Sequence, residues 1–205
     1  MTQQTHHEPP VDPEALRSEV RSKYCEVAVD PGGEHHFHTG RLLAERLGYE
    51  ARWLDGLPER VIESFAGIAN VFRLRRLEQG ERVVDIGSGA GFDALAAAEQ
   101  VGDRGRVIGV DMTPEMLAKA RANAEMLELE NADFREGLAE DLPIEDGWAD
   151  VVLSNGVLNL CPDKRTVFEE ILRVLRPGGV LQFADIANGN PVPPAALREV
   201  DLWTG

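Results

Sequence analysis

Cysteine, positive charge, aromatic rings and long apolar runs are all scarce in this chain. Its 205 residues hold two cysteines, Cys25 and Cys161, far apart and with no C-x-x-C pairing. That excludes a disulfide framework and points to a reducing cytoplasm. No apolar run approaches the roughly 18 residues that span a bilayer, and residues 1–13 are polar and proline-rich, so a soluble protein without a secretory signal is expected. Lys and Arg number 21 against 36 Asp and Glu, for a formal charge of -15. Such a field repels nucleic acid unless a basic stripe intervenes. The one short basic cluster, Arg73, Arg75 and Arg76, is followed at once by Glu78. Aromatic residues make up only 6%, which gives no obvious ring-stacking site.

What is present suits one domain with an N-terminal elaboration. Residues 1–13 read as a disordered tail. From Pro13 to Val29, Leu16, Val20 and Tyr24 recur at helical spacing, and Asp30-Pro31-Gly32-Gly33 then breaks the chain. A second helix is predicted from Thr39 to Leu47 with Gly48 as its stop. A third opens at Leu57-Pro58 and runs through Val61, Ile62 and Phe65, and a last one reaches Leu77. Residues 14–79 therefore read as a helical cap, with no internal repeat.

At Arg82 the pattern changes. Val83-Val84-Asp85-Ile86 is a short strand, followed by an Ala-rich helix from Phe92 to Val101. Val107-Ile108-Gly109-Val110 makes the next strand, and Pro114 opens a helix to about Leu127 that Thr113 can cap. Asp133-Phe134-Arg135 and Asp150-Val151-Val152-Leu153-Ser154 follow as strands. A helix from Thr166 to Leu175 stops at Pro177-Gly178-Gly179, before a fifth strand, Val180 to Ala184. Alternating strands and helices predict a doubly wound parallel α/β sheet over residues 80–205.

The chemistry-bearing motif is Asp85-Ile86-Gly87-Ser88-Gly89-Ala90-Gly91, between the first strand and its helix. Glycines there turn the backbone sharply and admit a ligand close to main-chain N–H groups. The dinucleotide spacing G-x-G-x-x-G is not met, because Phe92 fills the place of the third glycine, and no P-loop lysine follows. An acid on the strand before G-x-G-x-G is instead the pattern of S-adenosylmethionine methyltransferases. The positive sulfonium and amino group of that cofactor suit the acid Asp85. The turn alone also fits an unrelated α/β domain or a variant nucleotide fold. Asp111, at the end of the second strand and 20 residues beyond Gly91, can accept both hydroxyls of a ribose. Met112 beside it can pack on an adenine face. The plainer reading of Asp111 is a helix cap.

From Gly80 to Asp185 the chain resembles the class I methyltransferases, and among them the arsenite methyltransferase-like group. The resemblance rests on Gly105-Arg106-Val107-Ile108-Gly109-Val110-Asp111-Met112-Thr113-Pro114-Glu115-Met116-Leu117, on Ser154-Asn155-Gly156-Val157-Leu158-Asn159-Leu160 with Pro162-Asp163-Lys164, and on Arg173-Val174-Leu175-Arg176-Pro177-Gly178-Gly179. Ser64-Phe65-Ala66-Gly67-Ile68-Ala69-Asn70 is similar to the group's cap segment. The resemblance implies a Rossmann-like sheet of about five strands and S-adenosylmethionine as cofactor. It implies binding by Asp85, Gly87, Ser88, Gly89, Gly91, Asp111 and Met112, with Leu138 and Ala139 on the adenine and Asn155 near the methionine end. A small-molecule methyl acceptor is expected; a non-catalytic or truncated cofactor-binding module is the alternative.

Three departures qualify the likeness. Arsenite methyltransferases of the group hold trivalent arsenic with several cysteine thiolates, and this chain has Ile68 and Gly156 at two of those places. Neither supplies the soft ligand that arsenic needs, so arsenite is the less favoured acceptor, with Cys25 and Cys161 left as an unproven pair. Leu138 stands where relatives carry an acid toward the adenine amino group, for which Glu140, Asp141 or the backbone of Ala139 can substitute. After the fifth strand the group adds a helix and an antiparallel strand pair, whereas here Pro193 to Trp203 begins the helix and the chain stops at Gly205. A truncated form with an open sheet edge, available for self-association, is therefore expected. His35, His36 and His38 lack metal-ligand spacing and read as solvated loop residues, one of which could serve as a base.

Overall fold

The computed structural model describes residues 11–33, 35, 37–193, 196, 199, 200 and 203. Five strands, β1 (Arg82–Ile86), β2 (Arg106–Asp111), β3 (Ala132–Glu136), β4 (Ala149–Asn155) and β5 (Leu175–Ala184), form one parallel sheet in the order β3-β2-β1-β4-β5. Helices α1 (Pro13–Val29), α2 (Gly40–Leu47), α3 (Ala51–Leu54) and α4 (Glu59–Ile62) precede it. Helices α5 (Phe92–Val101), α6 (Pro114–Met126) and α7 (Lys164–Val174) carry crossovers between strands.

Side chains alternate across a strand, so each strand feeds two cores. Val83, Val107, Val151 and Leu153 pack on one face with α5, α6 and the N-terminal helical segment. Val84, Ile86, Ile108, Val110 and Val152 pack on the other with Val167, Ile171 and Val174 of α7. Asp85 follows Val84 and so faces the α5 side, at 2% exposure. Helix α5 is buried almost all round, Ala96 and Ala97 included, because the N-terminal segment covers its outer face. Phe92 is the centre of that contact, with ring centroids 4.3 Å from Phe65, 4.9 Å from Trp53 and 5.0 Å from Tyr49.

Helices α1 and α5 run as expected, and α2 begins one residue after Thr39 and ends on Gly48 in the left-handed conformation. The disordered tail is corrected at its inner end. Val11 is buried, and Asp12 caps α1 by accepting from the Ala15 N–H at 2.8 Å; residues 1–10 lie outside the described residues. The helices expected through Phe65 and Leu77 shrink to α4 and a 3-10 turn at Val71–Arg73. Between them the backbone of Ile68 and Ala69 bonds to Asn155 rather than to itself. Thr113 stands at the N-cap of α6, but its side chain makes no cap bond.

Strand β5 begins at Leu175, five residues earlier than expected, and a register shift opposite Ala149 and Val151 accommodates Pro177-Gly178-Gly179. Proline is tolerated because β5 is an edge strand. The helix expected from Pro193 to Trp203 falls largely outside the described residues. Among the described residues no helix is long and apolar enough to cross a membrane.

Candidate active site

A cleft opens at the carboxyl ends of β1, β2 and β4. It lies at the switch point where the chain leaves β1 for β2 on one side and later places β4 on the other. It encloses about 1080 Å³ of empty space, its solvent-open mouth included, and is mainly apolar. The turn after β1 forms its floor. Gly87 and Ser88 donate their N–H groups to the Val110 carbonyl at 2.8 and 3.1 Å, which pins the turn to β2. Gly87 and Gly89 have φ of +70° and +53°, the region that side chains resist. A Cβ on Gly87 would fall 2.3 Å from Val157 Cγ2, whereas one on Gly89 would meet open space. The turn is thus packed behind and bare toward the cleft.

Asp111 closes β2 and braces this turn. Its Oδ2 accepts from the Gly89 N–H at 2.9 Å and its Oδ1 from the Thr113 N–H at 2.8 Å. Burial raises its carboxyl, and the Thr113 and Gly89 N–H groups pull it back. Asp85 is more extreme: its buried Oδ2 has no hydrogen-bond partner. Burial first, then the charges of Asp93 and Asp111, push its carboxyl well above the usual range. Asp93, in the first turn of α5, is raised by burial to about 6, even though Asn155 and Tyr49 both donate to it.

The buried Asp85 and Asp93 and the half-buried Asp111 set the electrostatics of this mostly apolar cleft. The N-terminus of α5 would ordinarily attract a phosphate, but Asp93 occupies its first turn. A pyrophosphate is disfavoured there; a ligand carrying positive charge supplies the partner that Asp85 Oδ2 lacks.

The remaining walls come from several elements. Met112, Leu138, Ala139 and Glu140 line one side. Helix α1 lies over the cleft, contributing Arg17, Val20 and Tyr24, and Val20 and Tyr24 belong to an apolar cluster that includes Met112 and Leu160. Arg17 Nη2 reaches Glu140 Oε1 at 3.3 Å. Burial, with Asp111 and Asp185 near, pushes the Tyr24 hydroxyl up to about 12. Cys161 lines the cleft too, its thiol pushed up to about 12 chiefly by burial. Cys25 is not among the lining residues.

Of the residues expected at the site, Asp85, Gly87, Ser88, Gly89, Asp111, Met112, Leu138, Ala139 and Asn155 all line this one cleft. Gly91 does not. A Cβ there would press on the Phe134 ring at 3.0 Å and on Ala120 at 3.2 Å, so its bareness lets α5 pack near α6 and β3. Asp141 is exposed and off the cleft, while Glu140 is engaged by Arg17. Asn155 borders the cleft with its polar atoms already taken by Ile68, Ala69 and Asp93. Ile68 and Gly156 face each other, a Cβ on Gly156 lying 3.3 Å from Ile68 Cγ2. His35 bonds the Asp30 carbonyl at 2.8 Å and stacks on Phe37, and His36 lies outside the described residues. Among the described residues no three His, Cys, Asp or Glu are grouped to hold a metal.

Sequence reasoning did not single out Asp93, Arg17, Val20 and Tyr24. Asp93 carried a readable signal: it is the one charged residue between the glycine turn and Ala98 in a run otherwise of small and apolar residues.

A protein-family model described as a methyltransferase domain matches residues 77–202. Arsenite methyltransferase of Halobacterium salinarum is 39% identical over 208 residues, which is 95% of this chain and 53% of that protein. Demethylmenaquinone methyltransferase of Bacillus cereus is 34% identical over 107 residues, 52% of this chain and 45% of that protein. The chain thus spans about half the length of these curated relatives. Among solved structures, an arsenic(III) S-adenosylmethionine methyltransferase from Chlamydomonas reinhardtii is 38% identical with a TM-score of 0.64, over 70% of this chain and 50% of that one.

Proposed function

The chain belongs to the class I S-adenosylmethionine-dependent methyltransferases, and from that premise we propose that it transfers the cofactor's methyl group to a small-molecule acceptor. The observation that carries the reading is the buried Asp85, whose Oδ2 has no hydrogen-bond partner, beside Asp93 and Asp111 on one apolar cleft. When bound, S-adenosylmethionine supplies a methyl group on a positively charged sulfur, activated for transfer to a nucleophile.

The chain's own part is binding, orientation and exclusion of water. Gly87, Ser88 and Gly89, with Asp85 beneath them, form the methionine end, and the cofactor's amino group gives Asp85 its missing partner. Asp111 accepts the Gly89 and Thr113 N–H groups, which fix its carboxylate at the end of β2, where it can accept from ribose hydroxyls. Met112, Leu138 and Ala139 flank the adenine, and Asn155 stands on the methionine side. Gly91 serves the packing of α5 instead of touching ligand. Residues 14–79 act as the cap, with α1 shutting water out of the cleft.

The acceptor is a molecule that needs no set of thiolates from this chain. Where the family resemblance implies arsenic-binding cysteines stand Ile68 and Gly156, and a side chain at 156 would meet Ile68; Cys161 is the one thiol among the cleft's lining residues. A panel of amines, phenols, thiols, quinols and arsenite, assayed with methyl-labelled cofactor, tests the proposal. Transfer to an organic acceptor, with arsenite left unmethylated, is the expected result. Tight cofactor binding without transfer to any of them would favour a non-catalytic binding module.

A further inference from the structure

Residues 64–67 line one side of the cleft, and the irregular stretch that continues from Gly67 through Ile68 and Ala69 has its backbone tied down. Ile68 and Ala69 donate their N–H groups to Asn155 Oδ1 at 2.9 and 3.1 Å, and Asn155 Nδ2 donates to the Ala69 carbonyl at 2.8 Å. The second Nδ2 proton goes to Asp93 Oδ2 at 2.8 Å. Asp93 Oδ1 accepts from the Tyr49 hydroxyl at 2.5 Å, and that hydroxyl also lies 3.2 Å from the Ala69 carbonyl. A Cβ on Gly67 would fall 2.4 Å from Asn155 Nδ2, so the segment rests directly on this amide. One small cluster thus joins the helical segment before β1, the loop over the cleft, the start of α5 and the end of β4.

We propose that Tyr49, Asp93 and Asn155 are positioning residues that anchor segment 67–69 and so hold the adjoining residues 64–67 in register as the wall the methyl acceptor meets. The proposal rests on the methyltransferase reading and deepens it. A carboxylate is needed at position 93 because two donors converge on it, and both its oxygens accept. An amide there presents one oxygen and one NH₂, so with its oxygen kept on Asn155 its NH₂ turns to the Tyr49 oxygen, and that hydroxyl is left to donate to the Ala69 carbonyl at the longer 3.2 Å, with the charge-assisted bonds lost. The groups that face Asp93 are Asp85 from β1, Tyr49 from the helical segment and Asn155 from β4.

The test uses the whole chain as wild type, Asp93→Asn, Tyr49→Phe and the swap Asp93→Asn with Asn155→Asp. Amide hydrogen exchange at Ile68 and Ala69 is read beside calorimetric S-adenosylmethionine affinity. Asp93→Asn should speed exchange at both amides by about tenfold or more and weaken the cofactor by about three- to tenfold. Tyr49→Phe should act in the same direction more weakly, and it carries the test if Asp93→Asn fails to fold. The swap should recover only part of the protection: the amide then at 93 donates to the carboxylate then at 155, which still accepts from Ile68 and Ala69 but faces the Ala69 carbonyl without a proton to give it. Unchanged exchange in both Asp93→Asn and Tyr49→Phe would overturn the proposal. Failure of the wild type to bind S-adenosylmethionine would overturn the methyltransferase reading instead, whatever the exchange shows.

Discussion

Gly87 and Gly89 sit two residues apart in one turn and answer to different constraints. Gly87 is hemmed in by Val157 as well as by its φ, whereas Gly89 is limited by φ alone and faces open cleft. Gly87→Ala should therefore cost about 2–4 kcal/mol of stability, from the strained backbone plus the clash. Gly89→Ala should cost only about 1–2 kcal/mol and still weaken the cofactor at least about tenfold, since its methyl enters the cleft. Thermal unfolding paired with calorimetry separates the two. At this scale the sequence was informative wherever a residue's type and its place on a strand end coincide, as for Asp85, Gly87, Gly89 and Asp111. It was silent on Arg17, Val20 and Tyr24, because nothing local in α1 says which distant turn the helix will cover. Gly91, packed on Phe134 and off the cleft, could not be told apart for a related reason: a glycine kept bare for a ligand and one kept bare for a ring read alike.

Among the elements, α5 shows how the N-terminal segment is attached. Its outward face is apolar, and Phe92 takes Phe65, Trp53 and Tyr49 against one ring. Phe92→Ala should destabilise the chain by about 3–5 kcal/mol, read from denaturant unfolding, with the segment before β1 losing amide protection first. Helix α1 reaches the cleft through the half-buried Arg17, and Arg17→Ala should weaken S-adenosylmethionine by about two- to fivefold while shifting the thermal transition little. A cofactor affinity unmoved by that change would remove α1 from the account of the cleft. The sheet and its three crossover helices were legible because alternation, glycine turns and proline starts agree there. The stretch from Leu57 to Leu77 was not: its apolar spacing suits a helix, but Asn155, a partner 86 residues on, competes for the backbone of Ala69. Strand β5 started early because an edge strand can absorb Pro177.

The whole molecule carries a formal charge of -15, and the buried Asp85 and Asp93 and the half-buried Asp111 meet at one cleft. Asp93 is held at about 6 against an ordinary 3.8, so the folded chain binds this proton more tightly than the unfolded chain. Its contribution to stability is complete below about pH 4 and is lost as pH rises through about 6, on the order of 3 kcal/mol in all. Asp85 and Asp111 shift in the same direction. The ligand-free chain should thus melt at a higher temperature at pH 5.5 than at pH 7.5, and saturating cofactor should narrow the gap by giving the carboxylates a cationic partner. Scanning calorimetry across that range checks both. The most direct test of the central claim is calorimetric titration of the chain with S-adenosylmethionine, beside Asp111→Ala and with NAD as control. The account predicts one-to-one micromolar binding that the variant loses and NAD does not share. A folded chain that ignores S-adenosylmethionine, or prefers NAD, would contradict it.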